Sequence, residues 1–108
     1  MKSISRRDLE AMHDDVHRDF LLVNVLPKDT FNRLHIRTSV NVPVDNASFE
    51  TMMEYVAGSK HREIVLYCAS FNCPASTEAA EKLEKAGFTS VYDYEGGTQD
   101  WMRHKSAA

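Results

Sequence analysis

Two short runs, FLLVNV at residues 20–25 and EIVLY at residues 63–67, are apolar at nearly every position, which limits the folds open to this chain more than any other feature. A strand with one wet face alternates apolar and polar residues. A run that is apolar throughout needs cover on both faces, as an interior strand of a parallel sheet has. Pro27 bounds the first run, and SVNVP (39–43) and SVYDY (90–94) read as further, shorter strands. Helical patterns lie between them. Ser5 and Asp8 resemble a capping box, after which Leu9, Met12 and Val16 recur at helical spacing and predict a helix from about residue 6. Phe49, Met52, Met53 and Val56 mark the core face of a second helix, which Ser48 would cap and Gly58 would stop. Ala75 to Ala86 form a third, ended by Gly87. Strands alternating with helices predict an α/β fold, a central parallel sheet with helices on both faces. No repeat or linker interrupts it, so residues 1–108 read as a single domain.

The chain has 108 residues, enough for one core without metal or disulfide staples. Its net charge is −3, and its basic residues fall in small groups (Arg6 and Arg7, Lys60 to Arg62, Arg103 to Lys105). An extended surface that tracks nucleic-acid phosphates needs a basic stripe with interleaved aromatics, so no nucleic-acid partner is expected. The first residues, MKSISRRDLEAM, lack the apolar stretch of a secretory signal, and no run approaches a membrane span. A cytoplasmic protein with no membrane contact is the expectation. Two cysteines are too few for a disulfide framework, and a reducing compartment keeps such thiols free. A zinc site would need four ligands at close spacing, yet only His61 lies near Cys68 and Cys73, and their C-x4-C spacing is not the C-x-x-C of thioredoxin-like proteins. No metal or cofactor is expected.

Cys68 ends the 63–67 strand, and six uncharged residues follow before the helix at 75. In open α/β sheets ligands gather at the carboxyl ends of strands, where a helix N-terminus supplies unpaired N–H groups and a positive dipole end. A loop from Cys68 to Cys73 that curled its amides around the Cys68 sulfur would lower its pKa and hold an anionic adduct. Cys68 is therefore the candidate nucleophile, and Ala69, Ser70, Phe71, Asn72 and Cys73 are candidate substrate contacts. Cys73 reads either as a resolving thiol or as filler of the first helical turn, and Phe71 either as a shield over the sulfur or as a cap on the core. His35 reads as a structural histidine, and His13, His17, His61 and His104 as surface residues. Glu95, Gly96 and Gly97 form a tight turn in this reading, with Trp101 anchoring the segment after it.

From Ile4 to Trp101 the sequence resembles the rhodanese-like single-domain sulfurtransferases. The likeness lies in FLLVNV followed by Phe31 and HIRTSVNVP, in IVLYC leading to a six-residue loop and an alanine-rich helix, in LEKAGFTSVYDYEGG, and in Trp101 placed after Gly97. It implies a rhodanese-like three-layer fold. It also implies that Cys68 takes a sulfane sulfur as a persulfide, from a persulfide or other sulfane-sulfur donor, and passes it to a thiol acceptor. Related phosphatase-type domains carry a loop one residue longer and an arginine six positions after the cysteine. Pro74 stands there, which disfavours phosphate-ester chemistry. Many members have Asp-Val-Arg where this chain has Asn24-Val25-Leu26, a glycine in place of Leu34, and Gly and Arg in the loop that here reads CASFNC. Without a loop cation, thiosulfate would be held by backbone amides, Ser70 and Asn72 alone. Charge-assisted hydrogen bonds are roughly twice as strong as neutral ones, so a persulfide donor is expected over thiosulfate. Two other functions remain open: a thiol redox protein cycling the Cys68/Cys73 pair, and a catalytically idle binding module, to which the altered 24–26 segment would point.

Overall fold

The two apolar runs lie side by side at the centre of the molecule. The computed structural model describes residues 1–106, with side chains through residue 103, so the side chains of His104, read as a surface residue, and of Lys105 lie outside the described part. Five strands, β1 (Lys2–Ile4), β2 (Phe20–Asn24), β3 (Val40–Asn41), β4 (Glu63–Tyr67) and β5 (Val91–Tyr94), pair in the order β1-β5-β4-β2-β3. Every pairing is parallel. The helices are α1 (Arg6–Asp14), α2 (Lys28–Arg33), α3 (Phe49–Ala57), α4 (Ala75–Lys85) and α5 (Gly97–Ser106). This is the three-layer α/β arrangement that the sequence pattern predicts.

The continuous hydrophobicity of EIVLY has its cause in the position of β4, which is paired with β2 on one side and β5 on the other. Ile64, Leu66 and Cys68 face a core built with α3 and α4, while Val65 and Tyr67 face one built with α1 and Trp101. All five are fully buried. Burial on that scale contributes about 1.5–3 kcal/mol for each large aliphatic side chain.

The capping box at α1 is present in full: the Asp8 N–H donates to Ser5 Oγ at 3.1 Å and the Ser5 N–H to Asp8 Oδ2 at 3.0 Å. Three details differ from the sequence reading. Val16 is exposed, because α1 ends at Asp14 and the chain leaves the helix before Val16 can reach the core. Met52 is also exposed, since the buried stripe of α3 runs through Phe49, Met53 and Ala57 at four-residue spacing. Ser48 makes no side-chain cap; its own N–H is instead taken by Asn46 Oδ1 at 2.8 Å. Gly58 does end α3, at φ +79°.

β1, α2 and α5 are elements that the pattern did not reveal. β1 has three residues and buries only Ile4; α2 has six, with no buried residue and hence no apolar period to detect. His35 is structural, its ring stacked on Phe31 at 3.8 Å and its Nδ1 donating to the Phe31 carbonyl at 2.7 Å. His17 and His61 are exposed. His13 is not an ordinary surface residue. It is half-buried, with Nε2 2.8 Å from Thr38 Oγ1 and its ring 5.3 Å from Phe20 and 5.6 Å from Trp101. Burial lowers its pKa, with Asp14 acting in the opposite direction. A histidine whose folded pKa lies below its unfolded value of about 6.5 stabilises the fold above that pH and loses its contribution as the pH falls through the folded pKa. Between pH 7 and pH 5 the wild type is therefore expected to lose more thermal stability than His13→Gln, as read by calorimetry. Equal losses would assign the acid sensitivity to other groups.

Candidate active site

β4 delivers Cys68 to the carboxyl edge of the sheet, beneath the start of α4. The backbone there is held from the opposite side by α5. The Thr98 N–H donates to the Cys68 carbonyl at 3.0 Å and the Thr98 hydroxyl at 3.3 Å, and the Gln99 N–H donates to the Ala69 carbonyl at 2.9 Å. Such an approach leaves no room for a side chain at Gly97. An added Cβ would lie 2.4 Å from the Cys68 carbonyl oxygen and 2.8 Å from Ala69 C, and Gly97 has φ +64°. Glu95 and Gly96 do form the expected turn, and Gly97 directly after them starts the helix that fixes the cysteine's backbone. Gly-Gly-Thr was the only sequence signal of this contact.

The loop does not form an amide cradle around Cys68. The Cys73 N–H donates to the Ser70 carbonyl at 3.0 Å and the Asn72 N–H to Ser70 Oγ at 3.3 Å, so both amides serve a turn centred on Ser70. The Cys68 thiol instead donates to the Cys73 carbonyl at 3.2 Å, with Ser76 Oγ 3.5 Å away. Burial pushes the Cys68 pKa up and contact with the Cys73 thiol adds to the rise, outweighing the hydroxyl and N–H of Ser76. The expected lowering at Cys68 is therefore corrected: a carbonyl oxygen against the sulfur favours S–H, and the site excludes the water that would solvate a thiolate.

The N–H groups of Ala69 and Ala75 reach Cys73 instead. Burial raises this thiol too, but the Cys68 thiol and the N–H groups of Ala69 and Ala75 outweigh it, and the net pKa lies below the ordinary value. Both cysteines are free, Cys68 fully buried and Cys73 partly exposed. The structure thus joins Cys68, Cys73, Ala69 and Ser76 in one cluster, with Ser70 shaping the turn. Asn72 is exposed on the loop.

Phe71 neither shields the sulfur nor caps the core; it is 70% exposed and borders a cavity of about 440 Å³ with Arg6, Arg7 and Tyr94. A second cavity, of about 460 Å³, meets the loop at Ala69 and is walled by Leu26, Leu34, Met102 and Arg33. Arg33 escaped the sequence reading because α2 was unseen. Its guanidinium sits 3.5 Å from Thr30 Oγ1. The altered Asn24-Val25-Leu26 segment has a structural role, since Asn24 is fully buried and its Oδ1 accepts from the Leu26 N–H at 2.9 Å.

Among known proteins, the thiosulfate:glutathione sulfurtransferase of Saccharomyces cerevisiae is 25% identical over 113 residues, covering 96% of this chain and 80% of that protein. A Bacillus halodurans protein of known structure superposes with a TM-score of 0.82 at 24% identity, over 96% of this chain and 73% of that one. A rhodanese from E. coli, solved with anions, gives a TM-score of 0.65 at 21% identity, over 76% of this chain and 91% of that one. These structural likenesses carry the fold, and the rhodanese-like domain model, which matches residues 5–104, shows that the chain belongs to the rhodanese-like domain family.

Proposed function

We propose that the protein is a sulfurtransferase in which Cys68 carries a sulfane sulfur as a persulfide and releases it to a thiol acceptor. The observation that supports this most strongly is the placement of two free cysteines together at the carboxyl end of a central strand, the Cys68 thiol 3.2 Å from the Cys73 carbonyl under the first turn of α4, in a chain of this family. Sulfur transfer needs a thiol, an S–S bond to attack and a leaving thiolate, and asks for no metal. Among the described residues no group of three or more His, Cys, Asp or Glu is placed to hold one. No helix among them is long and apolar enough to cross a membrane. The reading assumes a reducing compartment such as the cytoplasm, which keeps both thiols free.

The yeast relative is named for thiosulfate and glutathione. For this chain a persulfide is the better donor, because the 69–73 loop has no cation and Arg33 stands on the wall of the adjoining cavity instead of in the loop. Ala69→Arg is expected to raise kcat/KM for thiosulfate about tenfold by adding a charge-assisted contact, with little change for a persulfide donor. Efficient thiosulfate turnover in the wild type, unmoved by Ala69→Arg, would show that the missing cation does not limit the donor.

The closeness of the two free cysteines also favours a second reading, a redox protein that cycles a Cys68–Cys73 disulfide. Mass spectrometry after exposure to a persulfide donor separates the possibilities. A gain of about 32 Da on Cys68 supports sulfur carriage and a loss of about 2 Da supports the disulfide cycle; an unchanged mass supports an idle binding module.

A further inference from the structure

We propose that the cavity walled by Leu26, Leu34, Met102 and Arg33 selects the thiol acceptor, and that the acceptor it fits is an aliphatic mercapto acid, with a thiol at one end, a carboxylate at the other and a chain of methylenes between. The proposal rests on the sulfurtransferase reading and names the substrate class of its second half.

Position carries the first part. Ala69, the residue after the carrier Cys68, borders this cavity, so a molecule seated there has one end beside the carrier's strand. Its volume of about 460 Å³ falls within the range of roughly 300–1,000 Å³ usual for small-molecule sites. α2 supplies Arg33 to one wall and α5 supplies Met102 to another.

The walls define the chemistry. The surface they present is almost wholly carbon. The Thr98 hydroxyl, which also lies there, is engaged with the Cys68 carbonyl. Leu34 is 54% exposed, and an aliphatic chain laid against it would remove that surface from water. Each methylene buried in this way tightens binding roughly three- to fourfold. One cation stands on the wall. Arg33 ends α2 with its guanidinium 3.5 Å from Thr30 Oγ1, and among the described residues it has no carboxylate partner. A guanidinium beside an apolar cavity selects an anion, and its planar fork matches a carboxylate. A peptide thiol such as glutathione fits poorly, because its amides would lose water against leucine and methionine without gaining hydrogen bonds.

Transfer to such an acceptor is a single displacement. The acceptor thiol gives up its proton, and its sulfur attacks the outer sulfur of Cys68–S–S–H. The persulfide S–S bond breaks, its electron pair and the proton pass to Cys68, and R–S–S–H departs. The sum is R–SH plus Cys68–S–S–H giving R–S–S–H plus Cys68–SH, with no net oxidation.

The test compares acceptors at a saturating concentration of a low-molecular-weight persulfide donor: 3-mercaptopropanoate, 6-mercaptohexanoate, 6-mercaptohexanol and glutathione. For the wild type, kcat/KM should rise at least ~10-fold from the three-carbon to the six-carbon acid and should exceed that for glutathione. Arg33→Gln should lower the preference for 6-mercaptohexanoate over 6-mercaptohexanol about tenfold. Leu34→Asp should flatten the dependence on chain length. Both substitutions fall at exposed positions, where the fold tolerates them. Hexanoate, which has no thiol, gives a readout without turnover: its NMR shifts should centre on Leu26, Leu34 and Met102 in the wild type and be lost in Leu34→Asp. Rates independent of chain length, glutathione as the best acceptor, or hexanoate shifts absent from these residues would overturn the assignment of the cavity and leave sulfur carriage intact. Failure of transfer to every acceptor would overturn the sulfurtransferase reading and this one with it.

Discussion

Cys68→Ala is expected to reduce donor-to-acceptor turnover at least ~100-fold and to leave no persulfide at position 68. Of the loop side chains only Cys73 could then hold sulfur. The fold should survive, because the loss is one small buried atom, costing about 1–2 kcal/mol at most. Turnover assays with a persulfide donor, paired with intact-protein mass spectra taken after desalting, check both parts. Turnover within threefold of wild type would remove Cys68 from the chemistry.

Gly97→Ala should be the most damaging single-methyl change among the glycines described. Its Cβ would meet backbone atoms at 2.4 and 2.8 Å in a segment held from both sides, and its φ of +64° is strained for any L-residue. We expect a loss of about 3 kcal/mol or more, and a Tm lower by roughly 12 °C or more. Gly58→Ala is the natural control. Gly58 has φ +79° with nothing within 4 Å of the added carbon, so that variant should cost only the conformational strain, about 1–2 kcal/mol. Denaturant unfolding of the two variants isolates the contact with the Cys68 backbone. Equal losses would mean that α5 can shift away from residues 68 and 69 at no cost.

The long interior strands were readable from sequence, and the six-residue α2, which buries nothing, was not. FLLVNV and EIVLY announce interior strands because both faces of β2 and β4 are covered. KDTFNR does not announce α2, because a six-residue helix with no buried residue leaves no periodic trace. The miss had a chemical consequence: Arg33 is brought to the cavity beside Ala69 only by α2. Cys68 was legible as a strand-end cysteine before a helix. The state of its sulfur was not, since that depends on which way the loop amides turn. Ser70 decides this by engaging the N–H groups of Asn72 and Cys73, and sequence spacing carries no information about that choice.

The sheet order places β1 against β5 alone, so the first and last strands of the chain complete one another. A polypeptide folding from its N-terminus can pair β2, β3 and β4 early, but Lys2–Ile4 must wait for Val91–Tyr94, and the carbonyls of residues 68 and 69 must wait longer still for Thr98 and Gln99. Contacts so distant along the chain form slowly, because loop-closure entropy opposes them until late. Fixing the backbone at Cys68 and Ala69 therefore waits for the C-terminal helix, and a molecule that has not docked it leaves this cysteine on an unanchored strand end.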